Sequence, residues 1–140
     1  MGLCSHEVEA NLPKPPAISI IDDDASVRAA THNLVRSYGY SAQTFASAED
    51  FLRSADLNDT SCVIADVQMP AMSGVELLIL LRNRGNTVPF IFITAFPDED
   101  LRARALKAGA VGFLAKPFDG PVLISYLDTA LNQDGGEIRN

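Results

Sequence analysis

Five short runs typical of strands recur along this chain, four of them mainly apolar and the second alternating, and stretches whose apolar residues follow helical periodicity separate them. The runs lie at 17–21, 40–46, 62–65, 90–94 and 111–115. The third run is apolar throughout, as a strand buried on both faces requires, and it stops abruptly at Asp66. Strands that alternate with helices through short connections form right-handed crossovers and a parallel sheet covered on both faces. The pattern therefore predicts a single α/β domain with three layers.

Turn and capping residues delimit the helices between these runs. Asp24 is placed to cap the first helix, and Gly39, Gly85 and Gly109 are placed to end the first, third and fourth helices. The predicted helices cover 25–38, a short stretch opened by 47–50, 74–84, a stretch that opens at 97–100, and 121–131.

Polar side chains that can bind ligands or react lie at the ends of four of the runs. The first run is followed by Asp22 and Asp23, the third by Asp66 and the fifth by Lys116, while the fourth ends with Thr94. The carboxyl ends of parallel strands lie at one edge of the sheet, where ligands of such sheets bind. These five side chains are therefore expected to converge on one site.

Three converging carboxylates would repel one another unless a cation joined them, and oxygen ligands of this kind suit Mg²⁺. A lysine ammonium and a hydroxyl beside them are the donors that phosphoryl oxygens need. Asp66 is then placed to act as a nucleophile toward phosphorus, because aspartyl phosphate formation is a known covalent route. Taken singly, each residue is better explained as part of a turn, a cap or a strand. Their agreement at four strand ends favours a site.

Four stretches of the chain resemble the motifs of the receiver domain of bacterial two-component response regulators. They are IIDDD at 20–24, ADVQMP at 65–70, ITA at 93–95 and GFLAKPF at 112–118. They follow the family's order and spacing within residues 17 to 132, and are most similar to receivers of nitrogen-fixation-type regulators. The resemblance implies a flavodoxin-like (βα)5 fold with strand order 2-1-3-4-5.

The resemblance also implies a role for each residue of the site. Asp66 corresponds to the phosphoacceptor, and Lys116 to the side chain that pairs with the phosphate. Asp22 and Asp23 correspond to the acids that hold Mg²⁺. Asp66 and the backbone carbonyl of Gln68 would complete the metal site.

A second group of residues corresponds to the family's switch. Thr94 matches the switch hydroxyl, and Phe113 matches an aromatic side chain that swings inward when the hydroxyl is drawn to the phosphate. The Lys116–Pro117 peptide bond is cis in relatives, so a cis bond is predicted here. Phe96 and Gln68 flank the site entrance, and we expect them to restrict the hydrolytic water and to set the lifetime of the phosphoryl group.

The function implied is that of a phosphoacceptor receiver, modified by a sensor histidine kinase or a phosphotransfer protein in a Mg²⁺-dependent reaction. Self-phosphorylation from a small donor and self-dephosphorylation are the only catalytic activities expected. One alternative is a Mg²⁺-dependent phosphohydrolase of the haloacid dehalogenase-like kind. That class needs Asp-x-Asp-x-Thr after the first strand, whereas here Asp22 and Asp24 are followed by Ser26, with no cap insertion. Another alternative is a receiver-like interaction module that is never phosphorylated.

The expected downstream partner is a protein, or a second copy of the chain, that binds the face formed by the fourth helix, fifth strand and fifth helix. The formal net charge of −7 is unlike that of a nucleic-acid binder and disfavours anionic membranes, so neither is expected as a direct partner. No apolar run approaches the roughly 18 residues that a membrane span needs. Cys4 and Cys62 form no disulfide framework, which fits a cytoplasmic setting.

Three parts are predicted along the chain. Residues 1–16 are expected to be a flexible N-terminal extension, 17–132 the receiver domain, and 133–140 a flexible C-terminal tail. No effector domain follows the last helix, so either a stand-alone receiver or a receiver cut from a longer regulator is expected. The N-terminal extension and the tail-like ending favour the stand-alone receiver.

Overall fold

The computed structural model describes the backbone of residues 15–139 and the side chains of residues 15–132. The strands are β1 (Ala17–Ile21), β2 (Ser41–Phe45), β3 (Cys62–Asp66), β4 (Phe90–Thr94) and β5 (Gly112–Ala115). The helices are α1 (Ala25–Ser37), α2 (Ala48–Leu52), α3 (Gly74–Asn83), α4 (Glu99–Lys107) and α5 (Gly120–Arg139). A short 3-10 helix, Leu57–Asp59, precedes β3. Strand and helix alternate five times, as predicted.

The five strands form one parallel sheet in the order β2-β1-β3-β4-β5. In the central register Ile20 lies opposite Ile64, and Ala65 lies opposite Phe92. All five residues of both β3 and β4 are buried, which agrees with their apolar sequences. The predicted fold class and strand order are confirmed.

The hydrophobic core consists of two clusters, one on each face of the sheet. On one face, side chains of α2, α3 and α4 such as Phe51, Leu77 and Ala105 pack against alternate strand residues. On the other face, α1 and α5 contribute side chains such as Val35 and Leu127. The sheet is thus the middle of three layers, and its carboxyl edge is the free edge at which the site can form.

Local signals in the sequence explain where the helices begin and end. The Asp24 side chain accepts hydrogen bonds from the backbone amides of Ser26 and Val27 and so caps α1, as predicted. Gly39 follows α1 with a φ of +95°, a conformation that glycine adopts at little cost. Ser73 and Glu76 form a reciprocal capping box at the start of α3.

Several element boundaries differ from the sequence prediction. Strands β2 and β5 are shorter than the predicted runs 40–46 and 111–115, because strand ends are poorly marked by composition. Tyr38, the last residue of the first predicted helix (25–38), instead follows α1 and is 52% exposed. Helix α5 continues to Arg139 instead of ending at Leu131, since no proline follows and each glycine costs only about 1 kcal/mol in a helix.

Residues 1–14, most of the predicted N-terminal extension, lie outside the described residues, as do the side chains of 133–140. The flexibility of both termini stays a prediction. Within the described part of the chain, none of the helices has the length and apolar character that crossing a membrane requires. The Lys116–Pro117 bond is cis, as predicted.

Candidate functional site

The carboxyl edge of the sheet gathers the five side chains that the sequence singled out. Asp22 and Asp23 follow β1, Asp66 is the last residue of β3, Thr94 is the last residue of β4, and Lys116 follows β5. Strands β1, β3, β4 and β5 are consecutive neighbours in the sheet, which places their ends side by side. The predicted convergence is therefore present.

Three carboxylates form the acidic part of the site. One oxygen from each of Asp22, Asp23 and Asp66 lies within 4.8 Å of the others. Asp22 is fully buried and Asp66 is 6% exposed, whereas Asp23 is exposed to solvent. Burial at such short separations makes mutual repulsion costly unless cations are present.

Lys116 supplies one of those positive charges. Its Nζ lies 2.9 Å from Asp22 Oδ2 and 3.2 Å from Asp66 Oδ2. Its backbone amide donates to the carbonyl of Thr94 at 2.7 Å, which fixes the start of the loop after β5. The ammonium donates a hydrogen bond to Asp66, while its approach to Asp22 Oδ2 is an ion pair without hydrogen-bond geometry.

The environment shifts the pKa of both partners. Burial raises the pKa of Asp66, and the charge of Asp22 adds to the rise. Hydrogen bonds from the Gln68 amide and from Lys116 lower that pKa but do not cancel the rise. Burial would lower the pKa of Lys116, but the close negative charges of Asp22 and then Asp66 outweigh burial and raise that pKa. The lysine therefore remains protonated beside the carboxylates.

The loop after β3 holds Asp66 from the other side. The Gln68 amide donates to Asp66 Oδ1 at 3.0 Å, and the Gly74 amide donates to the Val67 carbonyl at 3.0 Å. A Cβ at Gly74 would lie 2.6 Å from the Asp66 carbonyl oxygen, so only glycine fits there. Ala71, in the same loop, has a φ of +67°, which is strained for alanine.

Thr94 and Phe113, the two predicted switch residues, lie on the neighbouring strands β4 and β5. Thr94 is fully buried, and its Oγ1 accepts a hydrogen bond from the Phe96 amide at 3.1 Å. Phe113 is half-buried and packs against the core cluster that contains Ala105. In the described part of the chain, Thr94 makes no hydrogen bond to Asp66.

A crevice of about 320 Å³ gives access to the site. It is lined by Asp23, Asp24, Asp66, Gln68, Ala95, Phe96 and Lys116. The Phe96 side chain is 72% exposed at its rim. Solvent and a reactant can therefore reach Asp66 through this crevice, whose lining includes Phe96 and Gln68.

A larger hollow of about 900 Å³ lies at the opposite edge of the sheet. Its walls are prolines, hydroxyl-bearing side chains and other uncharged residues, with Asp59 as the one charged member of its lining. Because this hollow gathers no group of ionisable side chains, the smaller crevice is the better candidate for a functional site despite its smaller volume.

The residues present fit a divalent cation. Asp22 Oδ2 is buried without a hydrogen-bond donor among the described residues, although Lys116 is close. Together with neighbouring oxygens of Asp23 and Asp66, it is the kind of hard, negatively charged ligand set that Mg²⁺ uses. The Gln68 carbonyl lies on the loop that contacts Asp66 and is the predicted further ligand.

One contact at the site was not predicted. The guanidinium of Arg28, in the first turns of α1, donates to the backbone carbonyl of Asp22 at 2.7 Å. The signal in the sequence was weak. A long basic side chain near a helix start is directed back toward the preceding turn, but composition does not reveal its acceptor.

Comparison with known proteins agrees with this geometry. The family described as the response regulator receiver domain matches residues 18–128. The response regulator protein TodT of Pseudomonas putida is 41% identical over 114 residues, which are 81% of this chain and 50% of TodT. The transcriptional regulatory protein FixJ of Bradyrhizobium diazoefficiens is 35% identical over 116 residues, covering 83% of this chain and 57% of FixJ. The chain thus spans about half the length of these relatives.

Among solved structures, the crystal structure of FixJ-N superposes with a TM-score of 0.77 at 34% identity. The match covers 86% of this chain and 96% of that one.

Proposed function

The chain belongs to the response regulator receiver domain family, and from that premise we propose that Asp66 is the side chain that accepts the phosphoryl group. Receivers of this family are phosphoacceptors in two-component signal transduction and are not enzymes in the usual sense. The observation that carries the assignment is the position of Asp66. It ends the central strand β3 in an open crevice, with Lys116 Nζ at 3.2 Å and two further carboxylates around it.

In the proposed reaction a carboxylate oxygen of Asp66 forms a bond to phosphorus. The bond between phosphorus and the donor's histidine nitrogen breaks, and the nitrogen keeps the electron pair. Lys116 stays protonated and pairs with a phosphoryl oxygen, which offsets charge on the transferred group. Bound Mg²⁺, held by Asp22, Asp23, Asp66 and the Gln68 carbonyl, would supply additional neutralisation of the phosphoryl oxygens.

The proposed switch uses Thr94 and Phe113. The Thr94 oxygen accepts from the Phe96 amide, which leaves the hydroxyl proton free to donate to a phosphoryl oxygen on Asp66. Movement of Thr94 toward the phosphate would vacate space beneath it, and Phe113 would move further into the core that it already contacts. The signalling surface would then be α4, β5 and α5, where Leu106 and Val122 are exposed apolar side chains.

The proposed partners follow from this role. A sensor histidine kinase or a phosphotransfer protein would donate the phosphoryl group, and a downstream protein or a second copy of the chain would bind the switched face. Residues 17–132 are assigned to the receiver domain. No observation favours the phosphohydrolase alternative or the module that is never phosphorylated.

The test is intact mass after incubation with acetyl phosphate and Mg²⁺, on the wild type and on Asp66→Asn. The wild type is expected to gain one phosphoryl group, and the gain should be absent in the variant and in the presence of a chelator. Beryllofluoride binding checks the case of rapid hydrolysis, because it occupies the site without chemistry. A wild type that gains no mass and binds no beryllofluoride would contradict the proposal.

A further inference from the structure

We propose that Arg28 is a positioning residue for Asp22 and Asp23, because its guanidinium fixes the turn between β1 and α1 that presents Asp23 to the cation. The inference rests on the proposed Mg²⁺-dependent function. It concerns a residue that makes no contact with the carboxylates themselves in the described hydrogen bonds and ion pairs.

The contact is made to a buried backbone oxygen. Arg28 Nη1 donates to the carbonyl of Asp22 at 2.7 Å, and Asp22 has no exposed surface. The Asp22 amide still pairs with the carbonyl of Phe45 in the neighbouring strand. The Asp22 carbonyl is the first to leave the sheet, so it needs a donor from elsewhere in the fold, and Arg28 provides one.

The same turn is closed at its other end by carboxylates acting as acceptors. The Asp24 amide donates to Asp22 Oδ1 at 2.9 Å, and Asp24 Oδ1 in turn accepts from the Ser26 amide at 2.9 Å. Residues 22 and 24 are therefore held on both sides of Asp23. Within the described residues the Asp23 carboxylate itself makes no hydrogen bond or ion pair, so its direction depends on the backbone turn.

Charge and position predict opposite effects of removing Arg28. If the guanidinium acted only through its charge, its loss would reduce repulsion toward a cation and Mg²⁺ would bind more tightly. If it positions the turn, its loss leaves the Asp22 carbonyl without a donor, the turn loosens, and Mg²⁺ binds more weakly. Outer residues that orient metal ligands affect affinity by about 10-fold to 100-fold when removed, which is large enough to reveal the sign.

The substitution Arg28→Lys separates the effect of charge from the effect of position. Arg28→Lys keeps the positive charge but replaces the planar fork with a shorter side chain that ends in a single ammonium. A positioning role predicts weaker Mg²⁺ binding in this variant too. A role through charge alone predicts unchanged binding.

The experiment is titration calorimetry of Mg²⁺ with the purified chain as wild type, Arg28→Met, Arg28→Lys and Arg36→Met. Arg36 lies on the same helix, is exposed and has no contact with the site, so its variant controls for loss of one positive charge. The Kd for Mg²⁺ is expected to rise by about 10-fold in Arg28→Met, less in Arg28→Lys, and to stay unchanged in Arg36→Met. An unchanged or lower Kd in folded Arg28→Met would overturn the proposal.

Two further readings keep the result unambiguous. Circular dichroism establishes that each variant is folded, and Arg28→Lys decides the matter if Arg28→Met does not fold. Phosphorylation of the variant from acetyl phosphate should recover at high Mg²⁺, because Asp66 and Lys116 are untouched, and failure to recover would count against a positioning role. A wild type that binds no Mg²⁺ would overturn the proposed metal site, and the role of Arg28 with it. Equal binding by wild type and Arg28→Met would overturn only the role of Arg28.

Discussion

Asp66 lies among groups that act on its ionisation in opposite directions. Its burial and the charge of Asp22 favour the neutral acid, whereas the Gln68 amide and Lys116 favour the carboxylate. The net effect is a raised pKa, so the ionised form that a nucleophile requires is held at a cost to folding. A cation at the acidic cluster would relieve that cost.

The first prediction concerns this cost. In the absence of Mg²⁺, Asp66→Asn is expected to stabilise the protein at neutral pH. A folded-state pKa above the ordinary value of 3.8 means that the wild type has its full stability below that pH and loses part of it as pH rises through the folded-state pKa. The side chain of the Asp66→Asn variant is neutral throughout this pH range, so the variant does not lose this stability.

Urea unfolding in chelator, measured from neutral pH down toward 3.8, checks the prediction. The advantage of the variant should shrink as pH falls and the wild-type carboxyl becomes protonated. Asp50→Asn, at an exposed position of α2 that does not line the crevice, serves as the control. A variant less stable than wild type at neutral pH would mean that the pairing with Lys116 outweighs burial.

The second prediction concerns the rim of the crevice. Phe96→Ala is expected to accelerate loss of the phosphoryl group several-fold, since the aromatic ring flanks the path by which water reaches Asp66. Decay of the phosphorylated chain, followed by intact mass, measures this rate. Ile79→Ala removes another exposed apolar side chain away from the crevice and should leave the rate unchanged. Equal decay of Phe96→Ala and wild type would sink the hypothesis.

At the scale of elements, the loop from Asp66 to Gly74 joins β3 to α3 within a tight space. Gly74 begins α3 and also packs its backbone against the Asp66 carbonyl and the Phe92 ring. The Ser73 capping box fixes the helix start. The position of Asp66 is therefore coupled to how α3 begins.

The third prediction is that Gly74→Ala destabilises the fold by about 1–3 kcal/mol, the usual cost of overpacking. It should also slow phosphorylation, because the added Cβ would push on the backbone of Asp66 at a separation of 2.6 Å. Urea unfolding and the rate of mass gain from acetyl phosphate measure the two effects.

Gly39→Ala is the matched control for this prediction. Its φ of +95° imposes a strain of about 1–2 kcal/mol on alanine, but no atom lies within 4 Å of the new Cβ. The control should therefore lose similar stability without a change in the rate of phosphorylation. Equal phosphorylation rates in both variants would show that Gly74 matters only for stability.

At the scale of the whole molecule, the site is built on a sheet covered on both faces. Two core clusters hold the four strand ends in fixed positions. The three carboxylates at these ends are therefore preorganised, and they repel one another when no metal cation is bound. A cation that binds the folded chain but not the unfolded chain increases the stability of the fold by mass action. Cation binding and global stability are therefore linked.

The fourth prediction is that Mg²⁺ raises the thermal unfolding midpoint of the wild type and that chelator reverses the rise. The free energy of unfolding should increase by about 2.7 kcal/mol when the free cation is at 100 times its Kd. Asp23→Asn should lose most of the gain while keeping nearly the same stability in chelator, because Asp23 is exposed. Thermal unfolding with and without Mg²⁺ measures both, and an equal gain in the variant would exclude Asp23 as a ligand.

Much of this arrangement followed from periodicity and composition. The buried runs ending in Asp66 and Thr94 predicted β3 and β4, and glycines at 39, 85 and 109 predicted helix ends that the structure has, each with positive φ. These signals are local, because a buried strand or a left-handed residue restricts the amino acid at its own position. The ends of β2 and α5 were misplaced where no residue type is excluded.

Contacts between distant residues had no such signal. The chain order placed Asp22, Asp66 and Lys116 at one edge, but the 2.9 and 3.2 Å separations of Lys116 from the two acids depend on how β5 packs beside β4. The Arg28 contact with the Asp22 carbonyl and the left-handed Ala71 likewise arise from the packing of α1 and of the loop after β3. Local sequence thus specified the elements and the residues at their ends, because backbone conformation and burial act position by position. The distances, the ion pairs and the raised pKa of Asp66 came from the folded arrangement, because they depend on groups that meet only when the sheet assembles.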